Sequence, residues 1–190
     1  MARIEGRRPG PLLKVVYRVA QQQLGGERMP EPVTVNAHHP LLMSGYGGLE
    51  LAFERSRKTP KRLKMLAEMK AAAVAGCEWC LDYGSWLSRH GGVTEEQLRD
   101  LPRFRESPAF NDDEKLVLAY AEGISRTPID VPDELFERLR ARFDEGQIVE
   151  LTYAAAIENL RARFNKALGI ESQEYSEGAV CALPERPSAA

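Results

Sequence analysis

Apolar residues recur three and four positions apart from Leu12 to Leu168, and no stretch alternates convincingly with the two-residue period of a strand. Helices are what such a chain can build. Leu12, Val15, Val16 and Val19 mark one over 11–24, with Pro11 at its start and Gly25-Gly26 at its end. Pro30 and Pro32 suggest an extended connector over 28–35. A helix is expected from Pro40 to about Ser56, weakened in its middle by Gly45, Gly47 and Gly48. Thr59-Pro60 reads as a cap and first helical residue, opening a helix that runs through the alanines 71–73 to Gly76. Another helix covers 77–90 and stops at Gly91-Gly92, and Thr94 with Gln97 forms a capping box.

After a loop over 102–110, three more helices follow. The first carries Leu116, Val117, Tyr120 and Ile124, and the second Leu135, Phe136, Leu139 and Phe143. The third is long, from Ile148 past Asn159 to Leu168, with Gly169 as its C-terminal stop. The fold expected is all-α, a compact bundle of about seven or eight helices. Residues 1–10 read as a flexible arm, 11–171 as the helical domain and 172–190 as an extended tail.

Composition narrows the function classes. The 190-residue length suits one domain, and 43% hydrophobic with 28% charged residues is ordinary for a globular protein. A formal charge of -2 gives no basic footprint for nucleic acid. No apolar run approaches the ~20 residues that cross a bilayer, and the N-terminus lacks the apolar core of a secretory signal. No membrane partner and a cytoplasmic location are the expectations.

The chemistry is concentrated in Cys77-Glu78-Trp79-Cys80. Cysteines at this spacing on a helix lie one turn apart on nearly one face, close enough to form and release a disulfide. A helix start adds unpaired N–H groups and the positive end of the dipole, which favour thiolate over thiol. The chain has three cysteines, too few for a disulfide framework, and Cys181 stands apart in the tail. Zinc would want four ligands, and three histidines, two of them adjacent as His38-His39, do not supply the usual set. Neither a metal nor a cofactor is expected.

Residues 60–98 read PKRLKMLAEMKAAAVAGCEWCLDYGSWLSRHGGVTEEQL. A helix ending in alanines and GCEWC, a second helix, a glycine pair and a Thr-led helix start resemble the carboxymuconolactone decarboxylase family. The likeness is to its AhpD-like alkylhydroperoxidase branch in particular. The AHHP segment at 37–40 and the surroundings of Glu158-Asn159 add to it. The resemblance implies a helical fold assembled as a trimer or hexamer. It also implies a hydroperoxide substrate, with Cys80 as the peroxidatic residue and Cys77 as the resolving one. An external dithiol would be the reductant.

The redox branch usually places a glutamate twelve residues before the first cysteine and a histidine four after the second. This chain has Met65 and Gly84 there. Glu68, one turn along from Met65, and Tyr83, three residues beyond Cys80, are the candidates to replace that proton relay. Asp82 is expected to point away from Cys80, roughly 200° around the helix. His38-His39 suggest a pocket wall, a subunit contact or a local cap, and Glu158 a buried proton acceptor or an ion pair with Arg161 or Arg163. Two alternatives stand beside the thiol peroxidase: a lactone decarboxylase, and a non-catalytic redox-sensing module.

Overall fold

The computed structural model describes residues 2–8, 10, 14, 17, 18, 21 and 29–185. The helix expected over 11–24 therefore lies mostly outside the described residues, as does the end of the tail. Among the described residues there are eight α-helices, one short 3-10 turn at Leu101–Arg103 and no strand. They are α1 Glu31–Asn36, α2 Pro40–Arg55, α3 Lys61–Ala75, α4 Glu78–His90, α5 Glu95–Asp100, α6 Asp112–Ser125, α7 Asp133–Arg140 and α8 Glu145–Ala167. None is long and apolar enough to cross a membrane.

The connector expected over 28–35 is a correction, because it contains α1. Its prolines sit at or before the first turn, where no backbone N–H is needed. Pro40 does the same for α2, and His39 caps it by accepting the Leu42 N–H at 3.4 Å, the local role open to that histidine. His38 spends its Nε2 on the Glu5 carbonyl at 2.9 Å. The arm expected to be flexible is tied to the body, with Arg3 N–H bonded to Leu168 O and Arg7 N–H to Thr34 O. Thr94, Asn111 and Asp144 each close a capping box at the head of α5, α6 and α8.

At the centre lies α3, which packs on α8, α6 and α4. Its Ala67 and Ala71 meet Ala154, Ala155 and Leu151 of α8 and Val117 and Ala121 of α6 in one apolar cluster. Met65, Leu66, Met69, Ala72 and Ala73 face a second cluster containing Cys77, Trp79, Cys80 and Leu81. Small side chains on both partners let the helix axes come close. The helix ends at Gly76, whose φ of 65° is the left-handed conformation that an L side chain resists.

Residues 172–185 are irregular but firmly seated. The buried Asp82 carboxylate accepts from Ser172 Oγ at 2.8 Å and from the backbone N–H groups of Gln173, Tyr175 and Ser176 at 3.0, 3.0 and 2.7 Å. Trp79 Nε1 donates to Gln173 Oε1 at 2.8 Å, and Ala182 N–H to Ser85 Oγ at 3.0 Å. Farther on, the carboxylate of Glu185 pairs with Lys70, which is only 1% exposed. The segment is a strap across the back of α4.

Replacing Asp82 with alanine removes four charge-assisted acceptor contacts. It is expected to lower unfolding stability by about 2–4 kcal/mol in urea denaturation. Maleimide labelling of Cys181, which the strap holds half-buried beside Ser85, should accelerate. Unchanged stability and labelling would show that the strap is held by something else.

Candidate functional site

The turn at Gly76 sets the geometry of both cysteines. The Gly76 N–H bonds back to Ala73 O and the Cys77 N–H to Ala72 O, so the chain leaves α3 and re-enters α4 within a few residues. Cys77 is the N-cap of α4 rather than a residue of its first turn. Its sulfur accepts the Cys80 N–H at 3.2 Å, as a serine oxygen does in the same position. Cys80 is then the third helical residue, still within the field of the helix N-terminus. The two sulfurs are bonded to each other, with Cα atoms 5.2 Å apart. Both residues are buried, Cys77 fully and Cys80 to within 5%.

One side chain from outside the motif touches both sulfurs. Asn165, near the end of α8 and 1% exposed, directs Nδ2 at Cys80 Sγ at 3.5 Å and at Cys77 Sγ at 3.9 Å. Its Oδ1 is buried and has no hydrogen-bond partner among the described residues. The sequence carried no pointer to Asn165, because 85 residues separate it from Cys80.

Farther along the same face of α8 stands Arg161, one turn back from Asn165, and Glu158 beyond it. Arg161 binds three carboxylates from three helices. Its Nε donates to Glu50 of α2 at 2.8 Å, and Nη1 donates to Glu68 of α3 at 2.6 Å and to Glu158 at 2.9 Å. One cation against three acids leaves a negative excess in a poorly hydrated place. Burial lifts the Glu158 carboxyl to about 7, with the charges of Glu68 and Glu50 adding to the lift and Arg161 opposing it. Burial also pulls Glu50 upward, but its hydrogen bonds and charge contact with Arg161 win, and its pKa lies below the ordinary value. The Oε1 of Glu158 has no partner among the described residues.

Glu68, the relay candidate on α3, is held by the buried guanidinium of α8. Its partner is Arg161, and Lys64 forms a buried pair with Glu150 at 2.8 Å. Of the two partners open to Glu158, the chain uses Arg161, while Arg163 bonds Asn159.

Tyr83 lies in a group of aromatic rings, stacked on Trp79 at 5.0 Å and edge-on to Tyr175 of the strap at 5.0 Å. Burial and the neighbouring Tyr175 raise its phenol above the ordinary value, so it stays neutral, holds its proton tightly and can act as a hydrogen-bond donor. Asp82 points away from Cys80 and into the strap.

Packing fills the two positions where the redox branch carries its relay. Gly84 is covered by Met69, whose sulfur would stand 2.6 Å from a Cβ placed there. Met65 lies on Gly91, where a Cβ would meet its sulfur at 1.9 Å. A histidine side chain at 84 would have to displace Met69.

With this geometry established, similarity to other proteins is informative. Residues 42–123 match the carboxymuconolactone decarboxylase family. YnjA of Escherichia coli strain K12, whose function is uncharacterized, is 36% identical over 126 residues, which are 66% of this chain and 66% of YnjA. YdfG of Bacillus subtilis strain 168, also uncharacterized, is 31% identical over 105 residues, 55% of this chain and 71% of YdfG. Among solved structures, a cysteine-to-alanine variant of the debrominase Bmp8 in complex with 2,3,4-tribromopyrrole superposes with a TM-score of 0.78. It is 25% identical and covers 90% of each chain. On the evidence of these matches and of the helix–turn–helix that carries Cys77 and Cys80, the chain belongs to the carboxymuconolactone decarboxylase family and has its AhpD-like fold.

Proposed function

We propose that the protein is a thiol-dependent peroxidase that cycles Cys77 and Cys80 between dithiol and disulfide. The observation that carries this reading is the bonded pair itself, set at a helix N-terminus with a side-chain N–H directed at Cys80. In the first step the Cys80 thiolate attacks the terminal oxygen of a hydroperoxide. The O–O bond breaks, Cys80 becomes a sulfenic acid, and the alkoxide takes up a proton to leave as an alcohol. The Cys77 thiol then attacks the sulfenic sulfur, forming the disulfide and releasing water. An external dithiol returns both sulfurs to the reduced state by thiol–disulfide exchange.

Glu158 is the proton store in this scheme, coupled through Arg161 to Glu68 and Glu50. It takes the place of the glutamate and histidine absent at 65 and 84. Tyr83, three residues beyond Cys80 on the same helix, is a second candidate, as a neutral hydrogen-bond donor. Leu41, Leu42 and Leu49 lie exposed along α2, which supports assembly into a homo-oligomer.

The similarity to the debrominase favours a second substrate class for the same pair. Two thiols can remove bromine from an electron-rich ring. A thiolate takes the halogen, the ring gains a proton, and the second thiol closes the disulfide as bromide leaves. Trp79 and Tyr83 share a buried cluster with Cys77 and Cys80, which adds aromatic surface to the surroundings of the pair. A lactone decarboxylase is less well supported, because every nitrogen of Arg161 is already engaged by the protein's own carboxylates.

Peroxide consumption with a dithiol donor should fall at least a hundredfold in Cys80→Ser, about the loss expected when a nucleophile is removed. In Cys77→Ser one turn of sulfenic acid, trapped by dimedone, should form without steady turnover. Undiminished turnover in both variants excludes the mechanism, and release of bromide from a bromopyrrole would select the second substrate class.

A carboxyl raised by folding loses its stabilising contribution as pH climbs from its unfolded value near 4.5 through about 7. Melting temperature should therefore fall over that range in the wild type, and fall less in Glu158→Gln. Identical pH profiles for the two proteins would place the titrating group elsewhere.

A further inference from the structure

We infer that Asn165 is a catalytic residue of the cysteine pair, the donor that makes Cys80 rather than Cys77 the nucleophile. This rests on the thiol-redox reading above but concerns a different question, namely which sulfur carries the negative charge once the disulfide is reduced.

Left to the backbone, the charge would go to the wrong atom. Cys77 is the N-cap, and its sulfur receives the Cys80 N–H at 3.2 Å. A hydrogen bond to the ionised form favours ionisation, so the helix start by itself favours a thiolate at 77. That residue is fully enclosed, whereas Cys80 keeps a small exposed fraction through which a substrate can approach. The contact that offsets the preference is Asn165 Nδ2, nearer to Cys80 Sγ at 3.5 Å than to Cys77 Sγ at 3.9 Å. On reduction, Nδ2–H becomes a donor to a full negative charge, and such bonds are shorter and stronger than neutral ones.

The carbonyl end of the side chain adds no hydrogen bond to the fold among the described residues. Its Oδ1 is buried without a partner, and among the described residues the amide's bonds run to the two sulfurs. A buried amide with an orphaned carbonyl is unfavourable compared with a hydrocarbon of the same shape. Leucine at 165 would remove that penalty, yet the chain keeps asparagine against the reactive atoms.

The other groups of this face are accounted for. Lys166, next along α8, donates to Gly76 O at 3.2 Å, and Arg161 is occupied by its three carboxylates. Neither is bonded to a sulfur. Asn165 therefore provides what a histidine or lysine provides in other thiol enzymes, without a charge of its own.

The test uses the full-length protein, reduced with dithiothreitol and desalted, pulsed with iodoacetamide across pH 5–10 and digested for mass spectrometry. In the wild type, Cys80 should be alkylated first and with a depressed pKa. In Asn165→Leu the alkylation of Cys80 should slow about tenfold at pH 7 for each unit by which its pKa rises. Labelling should then shift toward Cys77. The melting temperature of that variant should equal or exceed the wild-type value, an outcome that a purely structural role would not give. Asn165→Asp, which places a carboxylate against the sulfurs, should slow Cys80 further.

Unchanged order and rate of alkylation in both variants would overturn the inference, as would a large loss of melting temperature in Asn165→Leu with unaltered cysteine selectivity. Alkylation needs no peroxide. If wild-type protein fails to consume hydroperoxide while Asn165→Leu still switches the labelled cysteine, the peroxidase reading fails and the role of Asn165 stands.

Discussion

Close contact between α3 and α8 is the constraint on which the whole site depends. Ala67 and Ala71 on one helix and Ala154 and Ala155 on the other are almost completely buried. Side chains this small bring the axes near enough for Arg161 to reach Glu68 and for Asn165 to reach the sulfurs at the end of α3. A larger residue in this layer would push α8 outward, and the donor at Cys80 would withdraw with it. The layer contributes through dispersion and proximity more than through buried area, since each methyl covers little surface.

The electrostatics follow from that packing. Arg161 is held among carboxylates from α2, α3 and α8, so one guanidinium ties three elements together. Three acids on one base leave charge that the interior cannot hydrate, and the carboxyl with the least compensation, Glu158, retains its proton near neutral pH. A group in that state can give or accept a proton without a large change in free energy. Metal coordination is not needed to arrange this. Among the described residues no group of three or more His, Cys, Asp or Glu is placed to hold a metal ion.

The back of α4 is organised independently. Asp82 gathers the N–H groups of the strap, Gln173 receives the Trp79 indole, and Tyr175 closes the aromatic group over Tyr83 and Trp86. Arg89 adds a bond to the carbonyl of Val180. The helix that bears the cysteines is thus clamped between α3 and α8 on the reactive side and the strap on the other. Fixing its rotation fixes the direction of Cys80.

Local chemistry was legible in the residue order. Thr94 with Gln97 and Gly76 at the end of α3 act over one helical turn, so their capping roles can be read from spacing alone. The pairing of Cys77 with Cys80 is legible for the same reason. The helix at Glu31–Asn36 is masked in the residue order, because prolines that usually break helices stand where a first turn tolerates them. What spacing does not carry is contact between distant segments. Asn165 beside Cys80, Glu68 on Arg161, and Asp82 as an anchor for residues about 90 positions away all arise from how helices stack. The sequence by itself determined that this chain makes helices with a reactive cysteine pair at the head of one of them. Only the tertiary structure decided which groups surround those sulfurs, because the distances that govern a thiolate are set by packing across the bundle and not along the chain.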